Sequence, residues 1–114
     1  MVLLKNNAKT LPLATGNKVA LFGINQLELI AGGTGSGDVN KMYTVPLADG
    51  LFKAGYTLNS NLYLSYSNYM AAEFAKRPKR SLMEELMSPN LPIPEMEVAT
   101  DVVIKAASES SVAI

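Results

Sequence analysis

The stretch Lys18-Val19-Ala20-Leu21-Phe22-Gly23 (KVALFG) decides how the rest of the chain is read. Its middle four residues are all apolar, and Thr15-Gly16-Asn17 before it and Gly23 after it are turn formers. A continuous apolar run, as opposed to an alternating one, suits a strand buried on both faces. That is the habit of parallel sheets.

Outward from this strand, the chain alternates. Pro46–Ala54 predicts a helix, with Leu47 and Leu51 four apart and Gly55 as its C-terminal cap. Gly50 inside it costs about 1 kcal/mol relative to alanine. Tyr56–Leu58 reads as a second strand. Asn61–Lys76 predicts a helix whose Leu62, Tyr66, Tyr69, Met70 and Phe74 share one face. Ser81 and Glu84 form a capping-box pattern that opens a short helix to about Met87. Ser88–Pro94 has three prolines and reads as an extended linker. Met96–Ser108 predicts a further helix. Val98, Val102 and Ala106 form its buried stripe, and Ala99, Val103 and Ala107 widen it. Ser111–Ile114 (SVAI) begins a third strand. Upstream, Leu11-Pro12-Leu13 suits an edge, since proline lacks a donor. Met1–Leu4 reads as a short strand or a helix end.

This order implies an α/β fold with a mostly parallel sheet flanked by helices, a three-layer, flavodoxin-like sandwich. Three strands are few for such a sheet, and SVAI stops on an apolar residue. The expectation is therefore an incomplete domain spanning residues 1–114, with an open sheet edge that invites self-association.

Composition narrows the chemistry. A length of 114 residues suits one domain, and 48% hydrophobic residues exclude a disordered chain. Ten basic and ten acidic residues cancel, which gives no field to draw nucleic acid or an anionic membrane. There is no cysteine and no histidine, so thiolate chemistry and the usual zinc ligand and general base are missing. No apolar run approaches the roughly 20 residues that span a bilayer. Lys5-Asn6-Asn7 directly after Leu4 does not suit a signal peptide.

The main candidate site is the loop Ile24–Tyr43, which holds Gly32-Gly33-Thr34-Gly35-Ser36-Gly37-Asp38-Val39-Asn40. In open parallel sheets ligands bind beyond the carboxyl ends of the strands, and this loop follows one. Glycines let a ligand approach backbone donors, and Ser36, Asp38 and Asn40 offer groups for sugar hydroxyls. Phosphate readings are weak. The loop lacks the glycine-lysine-serine/threonine ending, and Asp38 stands where a dinucleotide fingerprint has its third glycine. A plain flexible surface loop is the competing reading.

Other features have structural explanations. Lys76–Arg80 suits a solvated helix end whose cations complement the dipole. Tyr63, Tyr66 and Tyr69 fall at helical spacing and suit core or rim positions. Two carboxylates can hydrolyse a glycoside when held about 5–10 Å apart. Nothing in the sequence fixes such a pair among Glu84, Glu85, Glu95 and Glu97.

Taken together, several segments resemble the start of the second domain of family 3 glycoside hydrolases. These are VLLKNNAKTLPL (Val2–Leu13), KVALFG, GGTGSGDVN, the run DGLFKAGY (Asp49–Tyr56), and Ile104-Lys105-Ala106-Ala107 with Ser111–Ile114. The resemblance covers nearly the whole chain. It implies a parent retaining β-glycosidase of β-glucosidase type, acting on terminal β-linked sugars. It also implies a (β/α)8 barrel as partner domain and a carbohydrate as substrate, with no cofactor and no metal. The nucleophilic aspartate belongs to that barrel. The acid/base glutamate, in many members, follows the strand that begins at Ser111. No residue here is carried over as catalytic, and the chain alone is expected to be inactive. Gly35, Ser36, Gly37, Asp38 and Asn40 are carried over as candidate site-lining positions. The alternative reading is a stand-alone flavodoxin-like module that binds a small ligand or another protein.

Overall fold

The computed structural model describes residues 4–7, 11–30, 42–78, 81, 83–84 and 92–114. Three strands, β1 (Lys18–Ala20), β2 (Thr57–Leu58) and β3 (Val112–Ala113), form one sheet in the order β2-β1-β3. Both pairings are parallel, with Lys18 opposite Thr57 and Val19 opposite both Leu58 and Val112. Backbone bonding carries β1 beyond its ladder: Ile114 donates to the Ala20 carbonyl at 2.9 Å, and Phe22 donates to Ile114 at 2.8 Å. The fold is the α/β sandwich that the sequence implies.

The apolar run of β1 is buried as its composition requires. Val19, Ala20 and Leu21 are all at most 3% exposed. Alternation along the strand sends them to opposite faces. Val19 and Leu21 meet Ala48 and Leu51 of α1 (Leu47–Lys53), with Leu13, Tyr56, Leu58 and Tyr63 around them. Ala20 meets Leu62 and Tyr66 of α2 (Ser60–Lys76) and Ala106 of α3 (Thr100–Glu109). Phe22, Ile24, Leu27, Met96 and Val98 pack around that second cluster. Helices therefore cover both faces, giving three layers.

Several local expectations shift. Pro46 is the N-cap of α1, extended at ψ 154°, and not a residue of its first turn. Helix α2 begins at Ser60 because buried Asn59 caps it, accepting from the Leu62 N–H at 3.2 Å. Phe74 lies beyond the buried face at 43% exposure, and the Arg77 guanidinium stacks 4.9 Å from its ring centre. Lys76 pairs with Glu73 one turn earlier.

The largest correction concerns the last helix, which starts at Thr100 and not at Met96. Residues 92–99 form neither helix nor strand. Met96 and Val98 reach the core from this irregular segment. Once the helix begins, only Ala106 is buried, while Ala99, Val103 and Ala107 are exposed. The side of α3 toward Asn61 and Leu62 carries Val102, Lys105, Ala106 and Glu109. Val103 and Ala107 lie on another part of its circumference and are exposed.

The segment before β1 is tied down by polar groups. The Leu11–Pro12 peptide is cis, and Asn6 brackets it, donating to the Leu11 carbonyl at 2.6 Å and accepting its N–H at 3.1 Å. The Tyr56 hydroxyl donates to the Leu13 carbonyl at 2.7 Å. Gly16, at φ +86°, donates to Gly55 at 3.1 Å, and Gly55 ends α1 at φ +89°. Leu4 is exposed and in no strand, while residues 1–3 lie outside the described residues. The Ser81–Glu84 capping box is formed, with Ser81 donating to the Glu84 carboxylate through N–H at 2.8 Å and hydroxyl at 2.9 Å.

Candidate functional site

The strand order creates one distinctive place. The chain leaves β1 for β2 on one side, then returns past β1 to β3 on the other. The carboxyl ends of β1 and β3 are therefore a topological switch point, where open α/β sheets bind ligands. This edge is built from Phe22, Gly23 and Ile24 after β1 and Ile114 after β3.

The chain turns sharply there. Gly23 takes φ +95°, a conformation that side chains disfavour, and a 3-10 turn, Ile24–Gln26, follows. Sequence reading missed this turn because Ile24 onward carries no periodic signal. Gln26 is 2% exposed, and its Nε2 donates to the Leu21 carbonyl at 3.0 Å. That bond ties the turn to the strand it leaves. Its Oε1 accepts no hydrogen bond from the described residues.

A second tie comes from far along the chain. The Ile24 N–H donates to both carboxylate oxygens of Glu95, each at 3.2 Å, and Met96 N–H donates to the same carboxylate at 3.2 Å. By sequence Glu95 suits a helix start or the surface; it is exposed but lies ahead of the helix, which starts at Thr100. The only signal of its role was its place in a proline-rich stretch leading to the core residues Met96 and Val98.

The remaining candidates fall as follows. Gly35, Ser36, Gly37, Asp38 and Asn40, with the rest of 31–41, lie outside the described residues. So do Lys79, Arg80 and Glu85. Tyr66 is core, Tyr63 is half-buried, and the Tyr69 hydroxyl donates to the Pro94 carbonyl at 2.8 Å. The Tyr69 phenol is raised above its ordinary value of 10.0, first by desolvation and then by the Glu73 carboxylate. The Lys76 ammonium is raised above 10.5, chiefly by its hydrogen bond to Glu73. Glu84 is spent on its cap, and Glu97 is exposed. Among the described residues no three His, Cys, Asp or Glu groups gather as metal ligands, and no helix is long and apolar enough to cross a membrane.

Comparison with known proteins supplies the family. Residues 1–114 match the glycosyl hydrolase family 3 C-terminal domain. β-Glucosidase A of Butyrivibrio fibrisolvens is 33% identical over 115 residues, covering 97% of this chain and 14% of that protein. A β-glucosidase of Ruminococcus albus is 41% identical over 71 residues, covering 61% of this chain and 7% of that protein. Among solved structures, β-glucosidase 3B of Thermotoga neapolitana in complex with α-D-glucose superposes with a TM-score of 0.75 at 33% identity, over 98% of this chain and 15% of its own. A β-glucosidase of Paenibacillus barengoltzii gives a TM-score of 0.75 at 29% identity, over 98% of this chain and 12% of its own. The chain thus spans about one-seventh of the length of the first of these relatives. By sequence over its whole length and by fold, it belongs to the glycosyl hydrolase family 3 C-terminal domain.

Proposed function

We propose that this chain serves a retaining β-glucosidase that removes terminal β-linked sugars. Residues 1–114 form part of its single α/β sandwich domain, beside a (β/α)8 barrel. The observation that carries this reading is the family match over residues 1–114, reinforced by β-glucosidase relatives that align along almost all of the chain. The carboxyl edge of β1 and β3 lines the sugar site and the barrel interface. Gly35, Ser36, Gly37, Asp38 and Asn40 belong to that lining, offering backbone donors, a hydroxyl, a carboxylate and an amide to sugar hydroxyls. Neither catalytic carboxylate lies in this chain. Taken alone, the chain self-associates through the outer edge of β3.

The test is hydrolysis of a chromogenic β-glucoside. The longer polypeptide that contains residues 1–114 turns it over, and purified 1–114 does not. Turnover that copurifies with 1–114 alone contradicts the reading, as does a longer polypeptide inert toward β-glucosides.

A further inference from the structure

Residues 92–98 have no regular backbone pairing, yet they are fixed step by step. Ile93 is buried at 8% exposure. The Pro94 carbonyl accepts the Tyr69 hydroxyl from α2. Met96 and Val98 pack against the cluster around Ala20, Leu62 and Tyr66. Glu95 lies between these anchors, so its carboxylate is delivered to one place and not left to wander on the surface. That place is the start of the turn after β1, 71 residues away in sequence, where the Ile24 N–H points between its two oxygens. The carboxylate also lies beside Gly23: a Cβ added there would meet Glu95 Oε2 at 3.9 Å.

The chemistry suits the location. Ile24 is the first residue of the 3-10 turn, and its N–H has no partner within the turn. A carboxylate there makes a charge-assisted bond and meets the positive end of the turn's peptide dipoles. Gln26 ties the turn to Leu21, on the α1 face of the sheet. Glu95 ties it to the segment that packs on the α2 and α3 face. The course of the chain leaving β1 is thus set from both faces.

We propose that Glu95 is a positioning residue for the sugar site: it holds Ile24, and so aims the chain that leaves the carboxyl end of β1. This inference rests on the proposed function above. Glu95 touches no reacting atom in it; it acts through the backbone of Gly23 and Ile24.

Two measurements test it. In residues 1–114, Glu95→Ala speeds amide exchange at Ile24 and Gln26 by about tenfold, the scale of losing one charge-assisted bond. Val19, Leu21 and Leu62 keep their protection. In the longer polypeptide, Glu95→Ala raises KM for a β-glucoside about tenfold and leaves kcat within about twofold, because the site's wall is misplaced while its carboxylates are not. Glu95→Gln, which keeps one acceptor oxygen, recovers part of both effects. Protection lost equally through β1 and α2 overturns the proposal, since Glu95 then stabilises the whole fold. So does an unchanged KM alongside faster exchange. A wild-type longer polypeptide with no turnover overturns the proposed function instead, and the exchange result still decides whether Glu95 fixes the turn.

Discussion

The side chain of Asn59 joins the two ends of the α2–α3 layer. Its Oδ1 caps α2 at Leu62, while its Nδ2 donates to Glu109 Oε2 at 3.3 Å and to Ser110 Oγ at 3.2 Å. Its backbone N–H donates to Val19 at 2.8 Å, and Glu109 in turn lies 3.8 Å from the Lys18 ammonium. One buried amide therefore connects β1, the start of α2 and the approach to β3. Asn59→Ala removes the cap and leaves its partners unsatisfied. A loss of about 2 kcal/mol is expected in urea unfolding. Asn59→Asp keeps the cap acceptor but loses the donors and faces Glu109, so it is destabilised too. A midpoint unchanged by Asn59→Ala would show that the network contributes nothing.

The core prediction contrasts two leucines on one helix. Leu62 is 1% exposed against Ala20, and Leu64 is 56% exposed. Leu62→Ala is expected to cost about 2–5 kcal/mol, enough to threaten a domain of ordinary stability. Leu64→Ala stays within about 0.5 kcal/mol. Equal costs in chemical denaturation would contradict the packing.

Tyr69 gives a pH prediction. Its raised pKa means the folded state holds the phenol proton more tightly than the unfolded state. The stabilisation is complete below pH 10.0 and is lost as pH rises through the folded value. Ionisation removes the donor to Pro94, so the 92–98 segment loosens in alkali. The Tyr69 ring carbon followed by NMR should titrate above 10.0, and Tyr69→Phe should abolish that part of the alkaline loosening. A midpoint below 10.0 would contradict the assignment.

The β3 edge gives a prediction of association. Ala113 and Ile114 are exposed, and Ser111–Ile114 has no charged side chain to deter pairing. Sedimentation of residues 1–114 is expected to show concentration-dependent association, and Ala113→Lys is expected to reduce it without lowering the melting temperature. A sharp monomer at all concentrations would contradict it.

Much of the layering was legible in the sequence because β1 and α2 carry strong, local signals. An unbroken apolar run fixed the parallel sheet, and Leu62, Tyr66 and Met70 recur at helical spacing. What failed depended on distant partners. Met96–Ala99 continue the periodicity of α3, yet tertiary packing uses Met96 and Val98 outside the helix. Val103 and Ala107 are apolar but exposed, since periodicity marks a face and says nothing of what lies against it. The turn at Ile24–Gln26 and its clasp by Glu95 join residues 71 apart, which no local pattern encodes. The glycine-rich positions 32–40, which composition reads as a loop, lie outside the described residues.

The central claim is that the carboxyl edge of β1 and β3 faces the sugar. A glucose titration of 15N-labelled residues 1–114 tests it most directly. The account predicts saturable amide shifts at Gly23, Ile24, Asn25, Glu95 and Ile114, weaker in Glu95→Ala. Shifts confined to the opposite edge, at Asn17, Tyr56 and Ser111, or none at saturating glucose, would contradict it.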